Sequence, residues 1–105
     1  MAKLTLTAAA VFKAVVEVPL HGGATGDIEF QFKHRKRDDL DKFIKAAAVP
    51  GRDEVETMLE MASGWDLEDP FNRESIETLL QNYIAAGGVV FNRYIEEHTK
   101  VREKN

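Results

Sequence analysis

Two runs of strict alternation, joined by a glycine-rich reversal, constrain this chain more than any other feature. From Asp27 to Lys33, the side chains of Ile28, Phe30 and Phe32 fall on one side and those of Asp27, Glu29, Gln31 and Lys33 on the other. A period of two sends successive side chains to opposite faces, so this run predicts a half-buried β-strand. Val11 to Val18 repeats the pattern, with Phe12, Ala14, Val16 and Val18 on one face and Lys13 and Glu17 on the other. Between them, His21-Gly22-Gly23-Ala24-Thr25-Gly26 places three glycines in six residues, which supply the positive-φ positions a reversal needs. Pro19 removes a ladder donor and ends the first strand. Residues 11–33 therefore read as a β-hairpin. Leu4 and Leu6 alternate with Thr5 and Thr7 in the same way, a pattern compatible with a further short strand.

A two-stranded hairpin is marginal in water by itself, so its Phe/Ile face needs a cover. The remainder of the chain, residues 38–101, supplies helices. Leu40, Phe43, Ile44 and Ala47 follow the i, i+3, i+4, i+7 spacing of an amphipathic helix. Asp38 or Asp39 is the expected cap, and Pro50-Gly51 ends the segment. Val55, Met58, Leu59 and Ala62 repeat the spacing behind an acidic capping box of Asp53 and Glu56, with Ser63-Gly64 as the stop. Residues 65–71 form a connector without regular period. Asn72 reads as an N-cap flanked by the staple pair Phe71 and Ile76. From there one apolar stripe runs through Leu79, Leu80, Tyr83, Val90, Phe91, Tyr94 and Ile95. It implies either one long helix bent at Gly87-Gly88 or two helices with a tight joint, and residues from His98 onward read as a polar, fraying end. The fold class is α+β: an N-terminal hairpin or small antiparallel sheet packed on three to four α-helices. At 105 residues the chain reads as a single domain, 1–105.

Charge and composition narrow the function. Hydrophobic residues make up 44% and charged residues 30%, which excludes disordered and fibrous chains. Cysteine is absent, so disulfides, thiolate metal sites and cysteine nucleophiles are excluded. Met1 to Ala10 lacks the apolar run of a secretory signal, and no stretch approaches the roughly 20 apolar residues of a membrane span. Between Asp53 and Glu77 nine acidic residues face Arg73 alone. Affinity for nucleic acid comes largely from Lys and Arg neutralising phosphates, so the acidic half argues against that partner and favours a protein.

The candidate chemistry is thin. The glycine loop leads into a strand instead of the Lys-Ser/Thr and helix a phosphate cradle requires. His21, His34 and His98 are dispersed, whereas a zinc site needs three or four converging ligands. The acidic pairs Glu68-Asp69 and Glu96-Glu97 have no accompanying nucleophile. No catalytic residue, cofactor or metal is expected, and the chain reads as a non-enzyme. His34-Arg35-Lys36-Arg37 is the sole basic cluster, read as a solvated joint with partner contact as the alternative. The connector sets Trp65, Leu67 and Phe71 among Asp66, Glu68 and Asp69. Trp65 and Phe71 read first as a core plug, and otherwise as an aromatic anchor ringed by acids.

Several stretches are similar to a known family. They are Met1-Ala2-Lys3-Leu4-Thr5-Leu6-Thr7 with Phe12-Lys13, Phe30-Gln31-Phe32-Lys33-His34-Arg35, Ala62-Ser63-Gly64-Trp65-Asp66-Leu67, Phe71-Asn72 and Leu80-Gln81-Asn82-Tyr83. Together they resemble the small tail assembly chaperones of long-tailed phages and prophages, from Lys3 to about Arg102. The resemblance implies a non-catalytic protein of the host bacterial cytoplasm, absent from the mature virion. Such a protein binds the tape measure protein, keeps it soluble and helps recruit tail tube protein. The resemblance brings no binding residues with it.

The binding residues come from the apolar pattern. The C-terminal helices carry more apolar positions than a short hairpin can cover, and exposed apolar patches mark interaction sites. The expected partner-binding face carries Val90, Phe91, Tyr94 and Ile95, with Trp65 and Leu67 at its border. The same surplus predicts homo-oligomers when the client is missing. The rival readings are a structural minor tail protein and, more distantly, a small nucleic-acid-binding regulator using residues 34–37.

Overall fold

The computed structural model describes residues 3–99. Its elements run β1 (Val11–Pro19), β2 (Thr25–Lys33), α1 (Arg37–Ala47), α2 (Glu54–Met61), β3 (Ala62–Trp65), α3 (Arg73–Asn82) and α4 (Ala86–Thr99). The α+β expectation holds. The hairpin pairs in the register the alternation demands, with Phe12 opposite Phe32, Ala14 opposite Phe30 and Val16 opposite Ile28. The five residues between the strands include one turn of 3₁₀-helix, with Gly22 and Gly23 at φ +82° and +86°. A Cβ is strained at such angles, which is why the reversal is written in glycine.

The sheet has a third strand that the sequence pattern did not announce. β3 pairs antiparallel with the far edge of β2, Trp65 opposite Phe30 and Gly64 opposite Gln31, giving the order β1-β2-β3. Ser63-Gly64 therefore continue the chain into a strand directly after α2, where a simple helix stop was expected. Beyond the strand, the Asp66 amide donates to the Glu29 carbonyl and the Glu29 amide donates to Asp66 Oδ1, prolonging the ladder. The further strand sought at Leu4 and Leu6 does not form: both side chains are exposed and outside regular structure.

The helix boundaries follow the caps, with two corrections. Asp53 accepts from the Val55 amide at 3.0 Å, and Asn72 from the Ser75 amide at 2.9 Å, as expected of N-caps. α1 instead starts from Lys36 without a side-chain cap, and Asp38 and Asp39 lie in its first turn, where negative charge favours the helix dipole. The long apolar stripe is two helices, and the break falls at residues 83–85. Gly87 and Gly88 thus lie in the first turn of α4. Of the fraying end expected from His98 onward, His98 and Thr99 belong to α4, and the rest, including the tail 102–105, lies outside the described residues.

One face of the sheet carries the core. Ala14, Val16, Val18, Ile28, Phe30 and Phe32 meet Met58 and Met61 of α2, Ile76 of α3, and Ala86, Val90 and Tyr94 of α4. α1 joins through Leu40 and Phe43, the latter edge-on to Tyr94 at 5.5 Å and stacked on Phe91 at 6.0 Å. Burying side chains of this size contributes about 1.5–3 kcal/mol each, so α2 and α4 together close the sheet.

Candidate functional site

The structure separates the six expected binding residues. Val90 and Tyr94 are fully enclosed core residues, at 0% exposure, and cannot present a surface while the fold is closed. Their neighbours Phe91 and Ile95 are half-buried on the adjoining flank of α4. Helical spacing explains the division. Positions 90 and 94 share one face of the helix, and positions 91 and 95 are turned about 100° from it. Trp65 is half-buried, while Leu67 is exposed.

Phe91 opens onto an apolar groove of about 320 Å³ between α1, α2 and α4. Ile44 and Ala47 form one wall, Met58 and Met61 the second, and Phe91 and Gly88 the third. Gly88 leaves its part of the wall bare: a Cβ there would meet no heavy atom within 4 Å. Gly87 answers a different need. A Cβ on it would run into the Glu54 carboxylate, so glycine lets α4 start close against α2. Glu54 gives the groove a negative end.

Trp65 and Leu67 border a separate groove of about 600 Å³, closed on its other side by Leu79 of α3 and by Tyr83 just past its end. Both readings of Trp65 are realised in part. Its ring stands edge-on to Phe30 at 6.0 Å and to Phe71 at 5.1 Å, while Nε1 donates to the Asp69 carbonyl at 2.8 Å. It plugs the core with one edge and lines the groove with the rest. Arg73 fastens α3 beside α2, reaching Asp53 at 2.6 Å and Glu56 at 3.2 Å. Its hydrogen bond holds the Asp53 carboxyl below the usual range. Glu56 is thereby drawn away from the reciprocal half of the capping box.

Sequence reasoning missed the polar knot that fixes α4. Arg35 was grouped with a solvated basic cluster, yet its guanidinium donates to the Glu60 carbonyl at 2.7 Å and the Tyr94 hydroxyl at 2.9 Å. It also lies 4.5 Å over the Phe43 ring. His34, Lys36 and Arg37 are exposed, as expected of that joint. His98, assigned to a fraying end, is part of α4: Nε2 accepts from the Arg35 amide at 3.1 Å. A neutral ring then carries its proton on Nδ1, which meets the Tyr94 carbonyl at 2.9 Å. Burial pushes the His98 pKa down, and the nearby His34 and Arg35 push the same way. With Arg35 committed inward, the basic cluster has less charge to offer phosphate.

Among the described residues no group of three or more His, Asp or Glu is placed to hold a metal ion, and no helix is long and apolar enough to cross a membrane.

The α+β fold thus opens two grooves between its elements, an apolar one ending in Glu54 and a mixed one carrying Asp69 and Glu74. The family model described as phage tail assembly chaperone matches residues 1–105, the whole chain, and the chain belongs to that family. The resemblance carried by its sequence stretches is thus confirmed, and with it a role in tail assembly. No curated protein and no solved structure matches the chain.

Proposed function

We propose that this chain is a non-catalytic chaperone that holds the tape measure protein by an apolar helical segment seated in the groove beside Phe91. The observation that carries this reading is the groove itself. It is an apolar trough between three helices, floored by Met58 and Met61 and left open at Gly88. Helix-in-groove recognition uses anchors at i, i+3/i+4 and i+7 laid into such a trough. A tape measure chain offers stripes of that kind before tube subunits surround it. The chain's net charge of −4 keeps the chaperone itself soluble. Phe91 and Ile95 serve as contact residues, with Val90 and Tyr94 supporting them from the core. Trp65 and Leu67 lie at a second surface. By covering the client in the host cytoplasm and yielding it to tail tube subunits, the chaperone ends its work before the virion is complete. Without client, the exposed apolar surface favours self-association.

Co-expression with the adjacent tape measure gene tests this. The client is expected to be soluble with the chaperone and insoluble without it, and Phe91→Asp is expected to lose the effect while retaining the helical circular dichroism of the parent. Equal client solubility in both cases ends the proposal. Recovery of the chain from purified particles would identify a structural tail component instead.

A further inference from the structure

The groove along α3 differs in chemistry from the one beside Phe91. We propose that it is a second docking site, taking a short protein segment whose apolar side chains are flanked by arginine or lysine. The inference goes beyond the client groove and does not depend on it, because the two grooves share no lining residue.

The apolar part is built and held. Trp65 cannot swing freely, since its indole nitrogen is tied to the Asp69 carbonyl and its ring is wedged against Phe30 and Phe71. Leu79 of α3 and Tyr83 just beyond the helix line the same trough. A fixed aromatic on the apolar wall of an open trough presents contact area at little cost in ordering, as interface anchors do. The exposed Leu67 extends that wall.

The charge around the trough selects the partner. Asp69 and Glu74 line it, and Glu77 lies one turn along α3 from Glu74. Among the described residues none of these three carboxylates has an ion-pair partner. The sole basic residue between Asp53 and Glu77 is Arg73, and it is spent on Asp53 and Glu56 of α2. The trough therefore joins an apolar wall of Trp65, Leu67, Leu79 and Tyr83 to a polar one of Asn72, Ser75, Thr78 and Asn82, with uncompensated negative charge from Asp69 and Glu74. Complementary charge raises the rate of encounter and rejects like-charged segments, so an acidic or neutral apolar helix is a poor occupant and a basic one a good occupant.

Trp65 is the single tryptophan of the chain, so its fluorescence reports on this groove directly. The full chain is titrated with two synthetic 15-residue peptides that share the same leucine positions, one bearing arginine between them and the other glutamate. The arginine peptide is expected to shift Trp65 emission saturably, with affinity falling as NaCl is raised. In a Glu74→Lys/Glu77→Lys variant its affinity should fall at least tenfold while the glutamate peptide gains. Leu67→Ala, at an exposed position that leaves the fold intact, should also weaken binding. Phe91→Asp should leave the titration unchanged, which separates this site from the client groove. The proposal is overturned by an absent or unsaturable emission change, or by equal response to both peptides. It is equally overturned if Asp38→Lys/Asp39→Lys, far along the chain in α1, weakens binding as much as the α3 pair.

Discussion

The Tyr94 hydroxyl donates to the Lys33 carbonyl at 2.7 Å and accepts from the Arg35 guanidinium at 2.9 Å, so one oxygen ties the last turns of α4 to the end of β2. The ring below it is fully buried among Phe12, Phe32 and Phe43. The phenol oxygen is thus surrounded by groups that lose a partner if it is removed. Tyr94→Phe keeps the ring packing and deletes both bonds, leaving the Lys33 carbonyl and the Arg35 guanidinium each short of a partner in a part-buried setting. Such orphaning costs about 1–3 kcal/mol. Urea unfolding should show the stability of Tyr94→Phe reduced by that amount, read as a lower midpoint with an unchanged slope. Tyr94→Ala, which also opens a cavity, should lose about 3–5 kcal/mol.

His98 makes the same knot sensitive to acid. Its folded pKa lies below the ordinary 6.5, chiefly through burial, with His34 and Arg35 adding repulsion and Glu97 and the Tyr94 carbonyl opposing them. The unfolded chain therefore binds this proton first. Stability is complete above the unfolded value, falls as the pH drops below about 6.5, and stops falling once the folded pKa is passed. Protonation also gives Nε2 a hydrogen, which abolishes its acceptance from the Arg35 amide. Urea midpoints measured from pH 8 to pH 5 should decline, and His98→Gln should flatten that decline. The Asp53 carboxyl, held below 3.8 by Arg73, adds a separate loss only at lower pH, as the pH falls from 3.8 through its folded value.

The parts of this fold legible in the sequence are those where one segment alone decides its structure. The alternation of residues 11–33 fixes which side chains face the core, and a register slip would turn every one of them outward. Asn72 and Asp53 announce caps because a short polar side chain before a helix has one good use there. β3 was hidden because Ala-Ser-Gly-Trp has no alternation to display: it is a strand because the far edge of β2 accepts it. The helix break was misplaced because apolar phase survives a three-residue joint, and because Gly87 serves the approach of α2 instead of a bend. Arg35 carries no local mark that separates it from Lys36 and Arg37. His98 does carry one: with Phe91, Tyr94 and Ile95 it completes an i, i+3, i+4, i+7 set, and its polar identity disguised the match. Of the six binding residues, Val90 and Tyr94 lie in the core, Phe91 lines one groove, Trp65 and Leu67 line another, and Ile95 packs against the core from the flank of α4, a division set by tertiary packing.

The two adjacent glycines of α4 should respond oppositely to alanine. Gly88 faces open space, so Gly88→Ala gains helix propensity, up to about 1 kcal/mol, without a clash. Gly87→Ala places its methyl against the Glu54 carboxylate and gains less or loses stability. Thermal melts of the two variants should rank Gly88→Ala above the parent and Gly87→Ala at or below it. Glu54→Ala combined with Gly87→Ala should recover most of the difference, a coupling that a double-mutant cycle measures.

The client groove can be tested from the wall opposite Phe91. Ile44 is half-buried on α1 and lines the groove, whereas its helix is anchored to the core by Leu40 and Phe43. A charge at position 44 should therefore damage the groove more than the fold. Ile44→Glu sets a carboxylate in an apolar trough that already ends in Glu54, so a seated client would have to desolvate it without a partner. The variant should stay folded, with a stability loss of about 1–2 kcal/mol from the apolar contacts it gives up, and should fail to keep the tape measure protein soluble. Ile44→Leu, which conserves volume and polarity, should retain the activity. If Ile44→Glu folds and still solubilises the client as the parent does, the client does not occupy the trough between α1, α2 and α4, and binding must be sought elsewhere on the surface.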